Sequence, residues 1–184
     1  RKELEGLGHR FRSHGDTEVM LAALAEWGVD AAARRFEGMF AFALLDVRAG
    51  TLTLVRDAFG IKPLFYAASD GRLAFASEIK AILAFGGVSR AGNPRSLYAY
   101  LAHGDCEHGE ETAFAAVQQL PPAGILEVDV RGEPRVVGRR TFWSPPADSP
   151  ALDVSREEAA RLVREAFLSS VAHHLRSDVP VGAA

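Results

Sequence analysis

The sequence contains one cysteine, Cys106, in 184 residues. A single thiol excludes an intramolecular disulfide framework and a zinc site built from cysteines alone. Long apolar runs are missing too. The longest, such as Met39–Leu45, fall far short of the roughly 20 residues that a membrane-spanning helix needs. There is no excess of positive charge: Lys+Arg 21 against Asp+Glu 24 leaves a formal net charge of −3. That argues against a nucleic-acid binder that relies on a broad basic surface. No repeat, low-complexity tract or signal peptide is present. The first residue is Arg1 rather than Met, and the last four, Val181–Ala184, are apolar, so the sequence reads as an internal piece of a longer protein. What is present is ordinary for a folded domain, with 48% hydrophobic and 24% charged residues, enough for one domain and the beginning of another.

Along the chain, Arg1–Leu7 reads as the end of a helix stopped by Gly8, and His9–Ser13 as a short extended segment. Val19, Met20, Ala23, Leu24 and Trp27 recur at helical spacing. The spacing predicts a helix opened by Asp16 or Thr17 as N-cap and closed by Gly28. From Gly38 the period changes. Met39–Val47, Thr51–Arg56, Lys62–Ala67 and Arg72–Ala76 read as four strands of an antiparallel meander buried on both faces, the last two joined by the hairpin signal Asp70-Gly71. Glu78–Phe85 is a short helix with Ser77 as its cap, and Asn93-Pro94 opens another that runs to about Ala102. Gly124–Val130 and Arg135–Phe142 form a second hairpin. The proline-rich Ser144–Pro150 is the best linker. Ser155-Arg156-Glu157-Glu158 is a capping box that starts a helix with Leu162, Val163, Ala166, Phe167 and Val171 on one face. Asp178–Ala183 then reads as a strand entering a new sheet.

Several blocks together resemble the glutamine-hydrolysing asparagine synthetases. Gly15-Asp16-Thr17-Glu18-Val19 is similar to that family's Ser-Asp-Thr-Glu-Val. Gly38–Leu44 is similar to its central strand, and Arg56-Asp57-Ala58-Phe59-Gly60-Ile61-Lys62-Pro63-Leu64 to its Arg-Asp-x-x-Gly-x-Lys-Pro-Leu turn. Ala76–Ala81, Leu120–Gly124 and Ser177–Gly182 follow in the family's order. The resemblance covers essentially the whole sequence. It implies an α+β fold, an incomplete Ntn-hydrolase-type αββα sandwich, followed by the first helix and strand of an α/β ATP-pyrophosphatase domain. The expected organisation is a glutamine amidotransferase domain over residues 1–143, a linker over 144–154, and the start of a synthetase domain over 155–184.

The same resemblance implies the chemistry. One domain hydrolyses glutamine with an N-terminal cysteine whose own α-amine is the base. The ammonia attacks a β-aspartyl-AMP made in the other. Neither that cysteine nor the Ser-Gly-Gly-Leu-Asp-Ser-Ser phosphate loop lies within residues 1–184, so no catalytic residue and no metal ligand is assigned, and this stretch alone is expected to be inactive. Asp16 matches the family aspartate that holds the α-ammonium of glutamine; read from the residues alone, it is a helix cap. Ala184 matches a position whose backbone lies near ATP. ATP and Mg2+ belong to the whole enzyme, with the ion's ligands on the phosphate loop and the nucleotide. The expected partners are small molecules (glutamine, aspartate and ATP), not nucleic acid or membrane, and a homodimer is an assembly the reading allows. The location expected is cytoplasmic.

Other chemically suggestive residues have plainer readings. Cys106 is an incidental loop thiol, and its neighbours His103 and His108 would bind a metal only adventitiously. Arg56 and Asp57 read as a structural pair fixing a turn, with Gly60 supplying an awkward backbone angle. Ser77-Glu78 reads as a helix start, with a place at a domain interface or ammonia route as the alternative. His173-His174 reads as a solvated helix end. The rival readings of the whole are a related synthetase with another acceptor, such as a β-lactam-forming one, and a non-catalytic scaffold.

Overall fold

The computed structural model describes residues 1–104, 109–147, 152–175, 179–180 and 182. Two compact units divide the chain, Arg1–Ser144 and Pro145–Ala184. Among the described residues no helix is long and apolar enough to cross a membrane.

The first unit is layered. One sheet has the order β1-β2-β6-β7, built from β1 (Ala41–Asp46), β2 (Thr51–Arg56), β6 (Gly124–Asp129) and β7 (Arg135–Thr141), with every neighbouring pair antiparallel. The other has the order β4-β3-β5, built from β3 (Phe65–Ser69), β4 (Arg72–Ala76) and the two-residue β5 (Gln118–Gln119). The alternation of side chains along a strand assigns the layers. Leu54 of β2 and Leu126 and Val128 of β6 share a buried cluster with Tyr66 of β3 and with Leu64 and Leu120, which is the core between the sheets. The alternate residues Val55 and Ile125 face the other way. They pack with Ala33 of helix α2 (Asp16–Ala33) and with Phe142. On the outer face of the second sheet, Ala67 packs with Ile82 of α3 (Ile79–Phe85). The result is helix, sheet, sheet, helix, as the αββα expectation requires. The short α1 (Lys2–Gly6) adds Leu4 to a cluster with Ala23, Leu24 and Ala32 of α2.

Turn chemistry explains the hairpins. Asp46 accepts at Oδ1 from the amides of Arg48 and Ala49, at 2.9 and 2.8 Å, which closes the β1–β2 turn. Between β3 and β4, Asp70 and Gly71 both take positive φ, 50° and 69°, the backbone that an Asp-Gly hairpin requires. After α3 comes α4 (Pro94–His103), where Asn93 caps the helix by accepting the Arg95 amide at 3.1 Å.

Several sequence expectations are corrected. The four strands are not one meander: β1–β2 and β3–β4 are hairpins in different sheets, because the turn at Arg56–Pro63, anchored on the buried Arg56 and Asp57, carries the chain from one sheet to the other. Along β1 the described pairing is with β2 alone, and Leu45 is exposed, so this strand is not buried on both faces. β3 begins at Phe65 rather than Lys62. Gly28, at φ 75°, ψ 170°, ends the first helical stretch of α2 as expected, and a second short stretch then runs to Ala33, with Ala32 and Ala33 buried in the core.

In the second unit, α5 (Arg156–His174) starts at Ser155, whose Oγ accepts the Glu158 amide at 3.2 Å. Glu158 itself pairs with Arg161, so only half of the expected capping box forms. None of the described residues of α5 is buried. Of the expected strand at 178–183, residues 178, 181 and 183 lie outside those described.

Candidate functional site

The segment between α1 and α2 places the residue singled out for ligand binding. α1 stops at Leu7 and Gly8, the latter at φ 97°. The chain then crosses His9–Gly15 to the start of α2. Gly15 occupies the N-cap with an extended backbone, φ −69° and ψ 152°. Neither Asp16 nor Thr17 is the cap, correcting the reading from residues alone. Asp16 is already the first helical residue, one position beyond that from which a side chain accepts the N2 or N3 amide.

Glu18, three residues after Gly15, turns back to the segment before the helix, and no side chain bonds the helix cap itself. Its carboxylate accepts the Arg12 amide at 2.9 Å, the Ser13 amide at 2.9 Å and the Ser13 hydroxyl at 2.9 Å. These bonds favour the charged form, so Glu18 titrates below its ordinary 4.5, the Arg12 amide being the largest cause. From the other side, Arg1 donates from its guanidinium to the carbonyls of Ser13 and Gly15, at 3.0 and 3.4 Å, and lies 4.7 Å from the centre of the Phe11 ring. Sequence reasoning passed over both side chains. The signal for Glu18 was present: its spacing from Gly15 is that of Glu158 from Ser155, which was recognised. The Asp16 carboxylate is exposed and makes no hydrogen bond or ion pair with any described residue. An unpaired carboxylate beside a helix N-terminus can accept an ammonium group and bond it with charge assistance.

The Arg56-Asp57 pair is structural, as expected. Arg56 is 5% exposed and Asp57 1%. Arg56 donates to the carbonyls of Lys62, Leu120 and Gly60, at 2.9, 2.6 and 2.5 Å. Asp57 accepts at Oδ1 from Phe59 and Ile61 and at Oδ2 from Lys62, while its backbone carbonyl accepts from Gly60 and Ala123. Gly60 stands at φ 65°. The bonds described for both side chains all go to backbone.

The remaining candidates divide simply. Ser77 is not the cap of α3; Glu78 holds that position in extended conformation and pairs with Lys80 at 2.5 Å on the surface. The His103 ring lies edge-on to Tyr98. His174 donates from Nδ1 to the Ser170 carbonyl at 2.8 Å, a helix-end contact. Cys106, His108 and Ala184 lie outside the described residues, so the thiol, the adventitious metal and the ATP contact have no geometry here. Among the described residues no group of three or more His, Cys, Asp or Glu side chains is placed to hold a metal ion. A separate cavity of about 280 Å³ opens beside Tyr66, Arg139 and Thr141, and Leu120, Pro121 and Gly124 of the Leu120–Gly124 block also line it.

The four layers, with the Arg56-Asp57 turn linking the sheets, form an Ntn-hydrolase-type αββα sandwich. Residues 1–143 match the family model of the glutamine amidotransferase domain, and the chain belongs to that family. Among solved structures, the fold is shared with glutamine phosphoribosylpyrophosphate amidotransferase from B. subtilis complexed with ADP and GMP. That similarity has a TM-score of 0.52 at 16% identity, over 78% of this chain and 26% of the other. The sequence is more similar to two curated proteins of Bacillus subtilis (strain 168). Asparagine synthetase [glutamine-hydrolyzing] 3 is 32% identical over 181 residues, 98% of this chain. Asparagine synthetase [glutamine-hydrolyzing] 1 is 32% identical over 192 aligned positions, 99% of this chain. The chain spans 28% of the length of each.

Proposed function

We propose that the protein carrying this chain is a glutamine-hydrolysing asparagine synthase, a ligase, and that residues 1–143 are its glutaminase part. Glutamine and water give glutamate and ammonia. Aspartate and ATP give β-aspartyl-AMP and pyrophosphate, and ammonia displaces AMP to give asparagine. The observation that carries this reading is where the similarity ends. The family model stops at residue 143, yet the alignment to asparagine synthetases continues over 98% of the chain, through the second compact unit. A glutaminase domain attached to some unrelated acceptor domain would lose its likeness at that boundary.

In this proposal Asp16 receives the α-ammonium of glutamine. The nucleophile is a cysteine at the mature N-terminus of the whole protein. ATP and its Mg2+ belong to the synthetase part, with the Ala184 backbone near the nucleotide, and the location is cytoplasmic.

The test is asparagine formation by the purified whole protein, supplied with aspartate, Mg-ATP and glutamine. The expected result is one asparagine and one AMP per glutamine hydrolysed. Glutamine hydrolysis coupled to amidation of another acceptor, with aspartate inert, would assign the protein to a different synthetase. No hydrolysis at all, together with a residue other than cysteine after the initiator methionine, would leave the domain non-catalytic. Residues 1–184 expressed alone are expected to release no glutamate from glutamine.

A further inference from the structure

The segment 11–15 is gripped by two side chains of opposite charge, each using the part of the peptide it suits. Arg1, a donor, takes the carbonyls of Ser13 and Gly15. Glu18, an acceptor, takes the amides of Arg12 and Ser13. The Ser13 hydroxyl links the two ends of the segment, donating to Glu18 at 2.9 Å and accepting the Gly15 amide at 3.3 Å. Asp16 follows Gly15 directly, and of the two acidic side chains in this first turn it is the one left without a partner.

We propose that Glu18 is a positioning residue for glutamine binding: it fixes segment 12–15, and through it the direction in which the unpaired Asp16 carboxylate meets the ligand's ammonium group. This rests on the reading of Asp16 given above. The role is separable from ordinary helix stabilisation. A carboxylate at the third helical position interacts favourably with the helix dipole whatever its reach. Holding the amides of residues 12 and 13, which precede the cap, needs the full length of a glutamate. Charge and reach can therefore be varied independently. Glu18→Asp keeps the charge and shortens the reach by one methylene. Glu18→Gln keeps the reach and one acceptor oxygen and loses the charge.

The experiment measures kcat and KM for glutamine hydrolysis in the whole protein for Glu18→Asp, Glu18→Gln, Asp16→Asn and the double variant Asp16→Asn/Glu18→Asp. Asparagine synthesis from supplied ammonia, which bypasses glutamine, checks that each variant is folded. Glu18→Asp is expected to raise KM for glutamine about tenfold, the loss of a charge-assisted contact, with kcat changed little. Glu18→Gln should recover part of that loss. The double variant should bind glutamine no worse than Asp16→Asn alone, because the two act in series. Additive losses, or an unchanged KM in Glu18→Asp where Asp16→Asn raises it, overturn the positioning role while leaving Asp16 intact. An unchanged KM in Asp16→Asn overturns the reading of Asp16 itself, and the positioning role with it. Should Glu18→Asp fail to fold, Ser13→Ala carries the same test, since it cuts the link between Glu18 and the Gly15 amide.

Discussion

Asp57 shows what one buried residue can do. Its two oxygens accept three backbone amides and its carbonyl accepts two more, at a site 1% exposed. Asp57→Ala leaves those side-chain-bonded amides facing a void. Buried groups without partners each cost about 1–3 kcal/mol, so the variant should lose about 3 kcal/mol or more of unfolding free energy, read from the shift in urea midpoint. Arg56 belongs to the same turn and serves it with three carbonyl contacts. The sequence reading gave this pair its structural role because an Arg-Asp followed by Gly60 looks like a turn. The residues that hold the Asp16 segment were harder to see. Arg1 and Glu18 lie 17 positions apart, and nothing in either residue type says that both will close on the one short segment before α2.

At the scale of elements, α2 carries a break that the sequence half revealed. Gly28 stands at φ 75°, ψ 170°, a region essentially reserved for glycine. No atom would lie within 4 Å of a Cβ added there, so the cost of a side chain is all backbone strain. Gly28→Ala should destabilise the protein by about 1–3 kcal/mol. Gly6, in α1, has similar empty space and an ordinary φ, so Gly6→Ala should stabilise by about 0.5–1 kcal/mol. Thermal unfolding of the two variants side by side checks the sign of each. Gly28 was legible as a breaker. That helix resumes afterwards was not, because Val29–Ala33 is too short to announce itself; its reason is the sheet beneath it, where Ala33 packs with Val55 and Ile125. β5 escaped notice for the same reason: two glutamines become a strand only beside Phe65 and Tyr66.

At the scale of the whole molecule, a polar link between residues 110 apart in sequence joins α2 to the first sheet. Arg140 donates to both oxygens of Asp30, from Nε at 2.9 Å and from a terminal nitrogen at 2.7 Å, and also reaches Glu127. The hydrogen bond from Arg140 is the largest cause holding Asp30 below its ordinary 3.8. A depressed folded pKa means that the contribution to stability is complete above the unfolded value and is lost as the pH falls through the lower folded one. Denaturant midpoints taken between pH 6 and pH 2 should therefore fall less steeply below about pH 4 in Asp30→Asn than in the parent, with the variant less stable at neutral pH. Half-exposed as this pair is, its effect is modest.

Local information settled a great deal about this protein. Apolar periodicity, the Asp70-Gly71 and Asn93-Pro94 signals, and the ordered blocks from Gly15 to Gly124 were enough for element types, the layered α+β class and the glutamine amidotransferase family, because each depends on residues near one another in the chain. The tertiary structure alone decided which hairpin joined which sheet, since strand pairing depends on side chains meeting across the core, Leu54 with Tyr66 and Leu126. It also decided that Gly15 rather than Asp16 takes the cap, which leaves Asp16 unpaired. That follows from Arg1 and Glu18 converging on one loop, a closeness that only the folding of α1 against α2 creates.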